Sequence, residues 1–490
     1  MKTYIGIDLG TSGVKVALVC ADGKIIKQAT REYPVLYPQS GWTEQNPEEW
    51  LDGTLCALKQ LLEGEDKSSV TGISFGGQMH GLVALDEEGK VIRPCILWND
   101  ARSEGQTAYL NDVVGKGKLL ALTGNVAFAG FTAPKILWLK KNEPQNFKKI
   151  YKILLPKDYL TFAFTGKFAT DYSDAAGTLL LDVKNKCWSQ DMCALCGISV
   201  GQLPELYESF DIVGKIKKDI ADELGISSEV QIIAGAGDNA AAAVGTGAVN
   251  EGDCNISLGT SGTVFLPSDN FAPDKNSALH SFCHANGKWH LMGCILSAAS
   301  CRKWWLEDVL ESNDYAADEK IISNCNSGDI IFLPYLNGER SPIGDVRARG
   351  AFIGLSAQTT RAQMSKAVME GVAFALLSCL DAARADGVIT QSASLCGGGA
   401  KSESWRQIIS DVLNIPVRIP ETEQGPSFGA AILAMVGCGE YSSVEEATGK
   451  LIKFNKTVLP DPVAAAKYRQ KYEIFTKLYP ALKSVRGDNQ

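Results

Sequence analysis

The chain has 490 residues, more than the roughly 250 to 300 over which one hydrophobic core usually extends, so two domains are expected. Hydrophobic residues make up 45 %, as in an ordinary globular protein, and 48 Lys plus Arg against 56 Asp plus Glu leave a net charge of −8, which argues against a nucleic-acid partner. No stretch reaches the ~20 apolar residues of a membrane span, the start MKTYIGIDLG carries no signal-like apolar run, and fourteen cysteines lie scattered in apolar contexts, so a cytoplasmic protein with reduced thiols and no membrane partner is expected.

The first elements read as a meander: TYIGIDL and VKVALVC are β-rich runs, followed by the Asp22-Gly23 turn and a third run, KIIKQA. NPEEWLDGTLCALKQLLEG predicts a helix with Asn46 as N-cap, Pro47 at the first helical position, Glu49 closing a capping box and Gly64 as the stop. Met79 and His80 follow the β-run VTGISFG, at a strand end where binding residues often sit. Cys193 and Cys196, in MCALCG, have no second pair at matching distance and no nearby His, so they read as packed thiols rather than a zinc site. IIAGAGDNAAAAVG predicts a strand running into an Ala-rich helix that begins at Asp238. The pattern breaks in GTGAVNEGDC, residues 245–254, which sets the expected domains at 1–247 and 248–490.

The second half opens as the first does, with β-rich runs CNISL and TVFLP around a Gly-flanked turn. His280, His284 and His290 lie near Cys283 in HSFCHANGKWH; without an Asp, a Glu or a spaced Cys pair to complete a tetrahedral set, they read as packed and hydrogen-bonded. The long helix TTRAQMSKAVMEGVAFALLSCLDAARADG, strand SASLCGG, helix SESWRQIISDVLN, strand PVRIP and helix SFGAAILAMVG then alternate. The fold class is therefore α/β.

LGTSG occurs at Leu9 and again at Leu258, 258 − 9 = 249 residues apart, which is the spacing of a duplicated domain. A turn with Gly on both sides of Thr-Ser points backbone N–H groups and two hydroxyls into one concavity, which suits phosphate oxygens, although the same tetrapeptide also forms plain hairpins. Two such hairpins facing across a cleft would hold a triphosphate, and no GK[ST] is present to make a P-loop. GISFG and GPSFG fit a hydrolase elbow, but Ser74 lies within a β-run and no His follows Ser427 to complete a triad. GAGDNA fits a dinucleotide fingerprint, but the next strand ends in Gly and Ser where a ribose-binding carboxylate belongs.

YIGIDLGTSG resembles the first phosphate hairpin of the sugar kinase, Hsp70 and actin superfamily, whose two ribonuclease H-like domains close over ATP. GFTAPKILWLKKN from Gly130 and GAFIGLSAQTTRAQMSKAVME from Gly350 are similar to the signatures of the FGGY carbohydrate kinases, and the resemblance runs from about Tyr4 to Gly437. GQMHG, ILWND, LLPKDYL, SDAAGTLLLDV, GDNAAAAVG and LPYLNGER are similar to the xylulokinases of that family; Ser341 and Ile343 in ERSPIGD and the extra Gly76 in FGGQMHG depart from their pattern. A non-enzymatic, actin-like or chaperone-like member would have no use for GQMHG or ILWND. The resemblance implies ATP-dependent phosphorylation of D-xylulose to D-xylulose 5-phosphate between two such domains, with another ketose or polyol such as ribulose as the alternative, and ATP and Mg2+ as cofactors; a homodimer is expected.

Asp238 is the expected general base: an Asp there also caps a helix, but its Gly-rich surroundings and its match to the family's catalytic Asp favour the chemical role. Asp8, at the end of the first strand, is unusual unless something cationic faces it, and is expected to share Mg2+ with Asp238. Thr11 and Ser12 of the first hairpin, and Gly259, Thr260 and Ser261 of the second, are expected on the phosphates by resemblance. Gly397, Gly398 and Gly399 are expected to let adenosine approach the backbone. Met79, His80, Asp238 and Asn239 are placed on the ketose by the family, and Trp98 and Asp100 add the mixture of apolar face and polar groups that sugar recognition needs.

Overall fold

The computed structural model describes residues 2–485 except 275, 277, 324 and 422–424. The meander forms as read, β1 (Thr3–Leu9), β2 (Gly13–Cys20) and β3 (Ile25–Glu32) pairing antiparallel in sequence. Helix α1 (Pro47–Leu62) buries Trp50, Leu58, Leu61 and Leu62 against it. Strand β4 (Val70–Gly77) then returns parallel to β1. Helices α2 (Thr132–Asn142), α3 (Pro156–Thr165) and the single turn α4 (Tyr172–Ala175) precede β5 (Ile212–Lys215) and β6 (Gln231–Gly237). The sheet order is β5-β6-β4-β1-β2-β3, and α5 (Asp238–Gly245) starts where β6 stops.

The second half repeats the plan. Strands β7 (Gly252–Leu258), β8 (Gly262–Ser268), β9 (His280–Cys283) and β10 (Trp289–Ile295) are followed by the short helix α6 (Ala299–Lys303) and by α7 (Arg361–Ala385). Next come β11 (Thr390–Cys396), α8 (Glu403–Leu413), β12 (Val417–Pro420), α9 (Gly425–Gly437), β13 (Phe454–Val458) and α10 (Pro462–Val485). The order β9-β10-β8-β7-β11-β12-β13 contains the same motif as the first sheet, an antiparallel triplet continued by two parallel strands. Strands buried on both faces need near-continuous apolar runs, which is why β1 and β4 read as they do.

Two local expectations change. At α1 the Asn46 side chain makes no capping bond, so the Asn46/Glu49 box is not formed; Pro47 already removes one donor from the first turn, and Trp50 Nε1 donates to Gln45 Oε1 at 3.1 Å. The box appears instead at α7, where Thr360 and Gln363 cap each other reciprocally. The larger difference is α9, a helix of the second half that lies on β1 and β4 of the first sheet and crosses α5. A Cβ at Gly429 would stand 1.8 Å from the Ala241 carbonyl oxygen, so α5 and α9 touch backbone to backbone. The two halves are thus packed through a pair of small-residue helices.

Candidate active site

The head of α5 lies where these halves meet. Asp238 is its first residue, partly open to a cleft of about 550 Å³ that is also lined by Ser257, Thr263, Gly397, Gly398, Ile419 and Pro420. Asn239 donates twice to Asp238 Oδ1, from its backbone N at 2.7 Å and from Nδ2 at 2.9 Å. No hydrogen bond is formed by Oδ2 among the described residues, so that oxygen is free for a substrate proton. Burial raises the Asp238 carboxyl to about 6 against the pull of the Asn239 bonds, and burial together with the Asp238 charge raises Asp8 to about 7. Asp8 stands in register with Lys15 across the first hairpin without forming an ion pair.

The first LGTSG hairpin is held by a network that sequence reading missed. Gly10 N donates to Gly13 O at 3.0 Å, Tyr33 OH to Gly10 O, and Gln45 Nε2 to Thr11 O at 2.6 Å. Gln78 Nε2 donates to Gln45 Oε1 at 2.9 Å, while Trp98 Nε1 donates to Thr11 Oγ1 at 3.0 Å and that hydroxyl donates to Gln78 Oε1 at 3.2 Å. Thr11 and Trp98 therefore use their polar atoms on each other, while Ser12 at the tip is exposed. The second hairpin is fixed from the other side: Ala299 N donates to Gly259 O at 2.8 Å and Ser300 Oγ to Thr260 O at 2.7 Å. Thr260 and Ser261 keep their hydroxyls clear of these bonds.

Two expected positions are corrected. Gly399 is buried, and a Cβ on it would meet Leu258 at 2.9 Å and Trp405 at 3.1 Å, so its small size serves packing; Gly397 and Gly398 alone of the three line the cleft. Asp100, expected on the sugar, has both oxygens taken: Arg102 Nε and Nη2 donate at 2.8 and 2.7 Å, and Thr43 N at 2.6 Å. Arg102 also pairs with Glu44 at 2.6 Å and lies 3.9 Å over the Trp42 ring, so the Asp of ILWND builds a wall.

Met79 and His80 sit almost wholly buried, Met79 against Gly237, the residue before Asp238, and the segment around Gly177 presses on both: a Cβ there would fall 2.5 Å from the His80 ring and 3.1 Å from Met79 Cε. His80 has φ +70°, an unusual backbone for a non-glycine residue, and its carbonyl is gripped by Thr132 Oγ1 at 3.1 Å and Lys135 Nζ at 2.8 Å. The FGGY-like stretch from Gly130 thus positions His80 through its backbone. Burial, with the Lys135 and Arg340 charges, pushes His80 down to about 3, so the ring is neutral. Its Nδ1 lies 2.7 Å from Gly177 O, which can only accept, so Nδ1 carries the proton and Nε2 is left as an acceptor for a hydroxyl.

Behind Asp238 lies a buried ionic knot. Lys157 Nζ stands 2.7 Å from Asp158, 2.9 Å from Asp171 and 3.8 Å from Asp174, all fully buried. Burial alone would lower Lys157, but the three carboxylates hold it above its ordinary value. Asp171 Oδ2 accepts from Ser173 Oγ and Ser209 Oγ, and Gly237 N donates to Ser173 Oγ at 3.1 Å, tying the knot to the residue before Asp238. LLPKDYL and SDAAG meet here, a function their sequence separation hid.

The rival sites dissolve. Ser74 is buried within β4 and Ser427 within α9. Cys193 and Cys196 are free, buried thiols, and the three histidines of the second half stack among phenylalanines, with His284 Nε2 also 3.2 Å from Ala248 O. Among the described residues no group of three His, Cys, Asp or Glu is placed to hold a metal.

Residues 3–245 match the model of the FGGY carbohydrate kinase N-terminal domain and residues 254–438 that of the C-terminal domain. The chain belongs to the FGGY family of carbohydrate kinases. This kinase is 42 % identical to the xylulose kinase of Escherichia coli, over 98 % of this chain and 99 % of that one. In fold it is similar to the crystal structure of a xyloylose kinase from Brucella ovis, with TM-score 0.94, 38 % identity and coverage of 99 % and 100 %. A gluconate kinase from Lactobacillus acidophilus matches as well, with TM-score 0.95 at 27 % identity over the whole of both chains, so the fold alone does not choose the sugar. The family's members use ATP, and the cleft beside Asp238 has the Gly-lined and apolar walls that a nucleotide needs.

Proposed function

We propose that this kinase transfers the γ-phosphoryl group of ATP to the 5-hydroxyl of D-xylulose, giving D-xylulose 5-phosphate. The observation that carries the reading is Asp238, with one oxygen held by Asn239 and the other open, between the nucleotide cleft and the Met79/His80 corner. The E. coli similarity supports the ketose. Asp238 Oδ2 takes the proton of the attacking hydroxyl as its oxygen meets the phosphorus in line, and ADP leaves. The two hairpins cradle the phosphates with backbone N–H groups, Ser12, Thr260 and Ser261. His80 Nε2 accepts from a sugar hydroxyl, and Met79 supplies the apolar face beside it.

Asp8 and Asp238 repel each other and have no Lys or Arg ion-paired to them among the described residues, so this donor set fits a hard divalent cation such as Mg2+. When bound, Mg2+ would neutralise charge on the phosphates. Asp8→Asn should therefore raise the Mg2+ concentration needed for half-maximal rate, with excess Mg2+ restoring part of the activity. An Mg2+ titration of initial rate that leaves the midpoint unmoved removes Asp8 from the metal.

Domains 1–247 and 248–490 are part of the same proposal, as lobes that close over ATP and sugar and shut out water. Fourteen cysteines, none of them in a disulfide, support a cytoplasmic setting. The experiment that tests the function is an ATP-dependent screen over D-xylulose, D-ribulose, L-ribulose, L-xylulose, D-fructose and glycerol. D-Xylulose is expected to give the highest kcat/KM, and a clear win by another substrate overturns the assignment. In the same screen His80→Ala should narrow the spread between ketoses while the KM for ATP holds.

A further inference from the structure

Arg340 is a cation in want of an acceptor. Its backbone is pinned: Arg340 N donates to Glu339 Oε1 at 2.8 Å, Leu296 N donates to the same oxygen at 2.9 Å, and Ser341 N donates to Cys294 O at 3.0 Å, at the end of β10. From there the side chain reaches over to the first half. Its guanidinium carbon lies 6.0 Å from the Phe128 ring centre, and Nη2 is 4.0 Å from where a Gly130 Cβ would stand, beside the Lys135 that holds His80. No hydrogen bond or close ion pair engages its guanidinium among the described residues, although its charge is felt by the Glu339 carboxylate and the half-buried residue carries five donors. A half-buried guanidinium without an acceptor costs stability, which a fold tolerates where a ligand completes the set.

Given the proposed reaction, on which this inference rests, we propose that Arg340 is a substrate-binding and specificity-determining residue whose guanidinium donates to the C1–C2 end of the open-chain ketose while Asp238 holds the 5-hydroxyl end. Cys294, whose carbonyl accepts from Ser341 N, lies within reach of both charges: burial dominates the rise of its thiol, and the Arg340, Glu339 and Asp238 charges act on it. His80 also lies within reach of the Arg340 charge. A five-carbon chain with one end at Asp238 must present its other end nearby, and there a carbonyl oxygen, which can only accept, meets a donor-only group. A pentitol carries a hydroxyl at C2 instead, a poorer acceptor for a forked cation. Ser341 and Ile343, the departures from the xylulokinase pattern, follow directly on this residue.

The test is steady-state kinetics of wild type, Arg340→Met and Arg340→Lys on D-xylulose and on xylitol, with thermal melts alongside. Arg340→Met should raise the KM for D-xylulose about 10- to 100-fold, the loss typical of one charged hydrogen-bonding group, with the KM for ATP unchanged. The D-xylulose to xylitol ratio of kcat/KM should fall on the order of tenfold, with Arg340→Lys between, because an ammonium donates but lacks the fork. Equal losses on both sugars, or an ATP KM that shifts as much, overturn the inference and leave Arg340 a packing residue on Phe128. If Arg340→Met does not fold, the same ratio in Arg340→Lys decides. Failure of the reaction itself shows separately, as a wild type inactive on D-xylulose; the ratio is then measured on its preferred ketose and the matching polyol.

Discussion

Asp238→Asn is expected to lose about 10² to 10⁴ in kcat while the protein stays folded and still binds both substrates. The amide keeps the size of the carboxylate and its place at the head of α5, and an oxygen can still accept from Asn239 N at the 2.7 Å seen now. What it lacks is a lone pair basic enough for the hydroxyl proton. Excess Mg2+ should restore nothing, in contrast to Asp8→Asn. The pH profile gives a second reading: with Asp238 raised to about 6 and Asp8 to about 7, kcat/KM should climb between about pH 5.5 and 7.5 as the pair loses its protons. Both groups sit above the ordinary carboxyl value, so the metal-free protein should gain stability as pH falls from 8 toward 5, the reverse of an ion-paired Asp. Near-normal turnover by folded Asp238→Asn would place the base elsewhere.

Lys157→Met should destabilise the kinase by about 3 to 5 kcal/mol, the usual cost of removing one partner from a buried ion pair. The methionine fills much of the lysine's volume, so little of the loss is cavity. What remains is Asp158, Asp171 and Asp174 without their cation, in a region where Asp174 is already raised well above the usual carboxyl range by burial, against the pull of Lys157. Urea denaturation measures the difference directly. The loss should shrink at pH 5, where the orphaned carboxyls of the folded variant bind protons more readily than those of the unfolded chain. A change below about 1 kcal/mol at pH 8 would mean that the knot contributes little net stability, as some buried ionic groups do.

The parts of the site that were legible in the sequence are those built from contiguous residues. Both LGTSG hairpins, the Asp238 helix start and the Met79-His80 strand end follow from local turn chemistry and a switch from period 2 to period 3.6, which a single segment carries whole. Asp100 and Gly399 were misassigned for a common reason. A polar or small residue at a strand end looks available until its partner is known, and Arg102 with Thr43, or Leu258 with Trp405, supplied that partner. Gln45 and Gln78 gave no motif at all, since an amide becomes a hairpin clamp only when another element stands opposite.

By itself the sequence determined the α/β class, the duplication, the family and the helix start at Asp238, because each depends on short-range pattern or on residues carried in one stretch. Tertiary structure alone decided that α9 crosses to the first sheet, that Lys157 binds carboxylates drawn from α3 and from the strand-and-turn around α4, and that the guanidinium of Arg340 reaches over to Phe128 and Gly130 of the first half. Apart from the adjacent Lys157–Asp158 pair, these are contacts between elements from more than ten to hundreds of residues apart. Their energy comes from burial and charge pairing across space, and no local periodicity encodes which distant partner a side chain will meet.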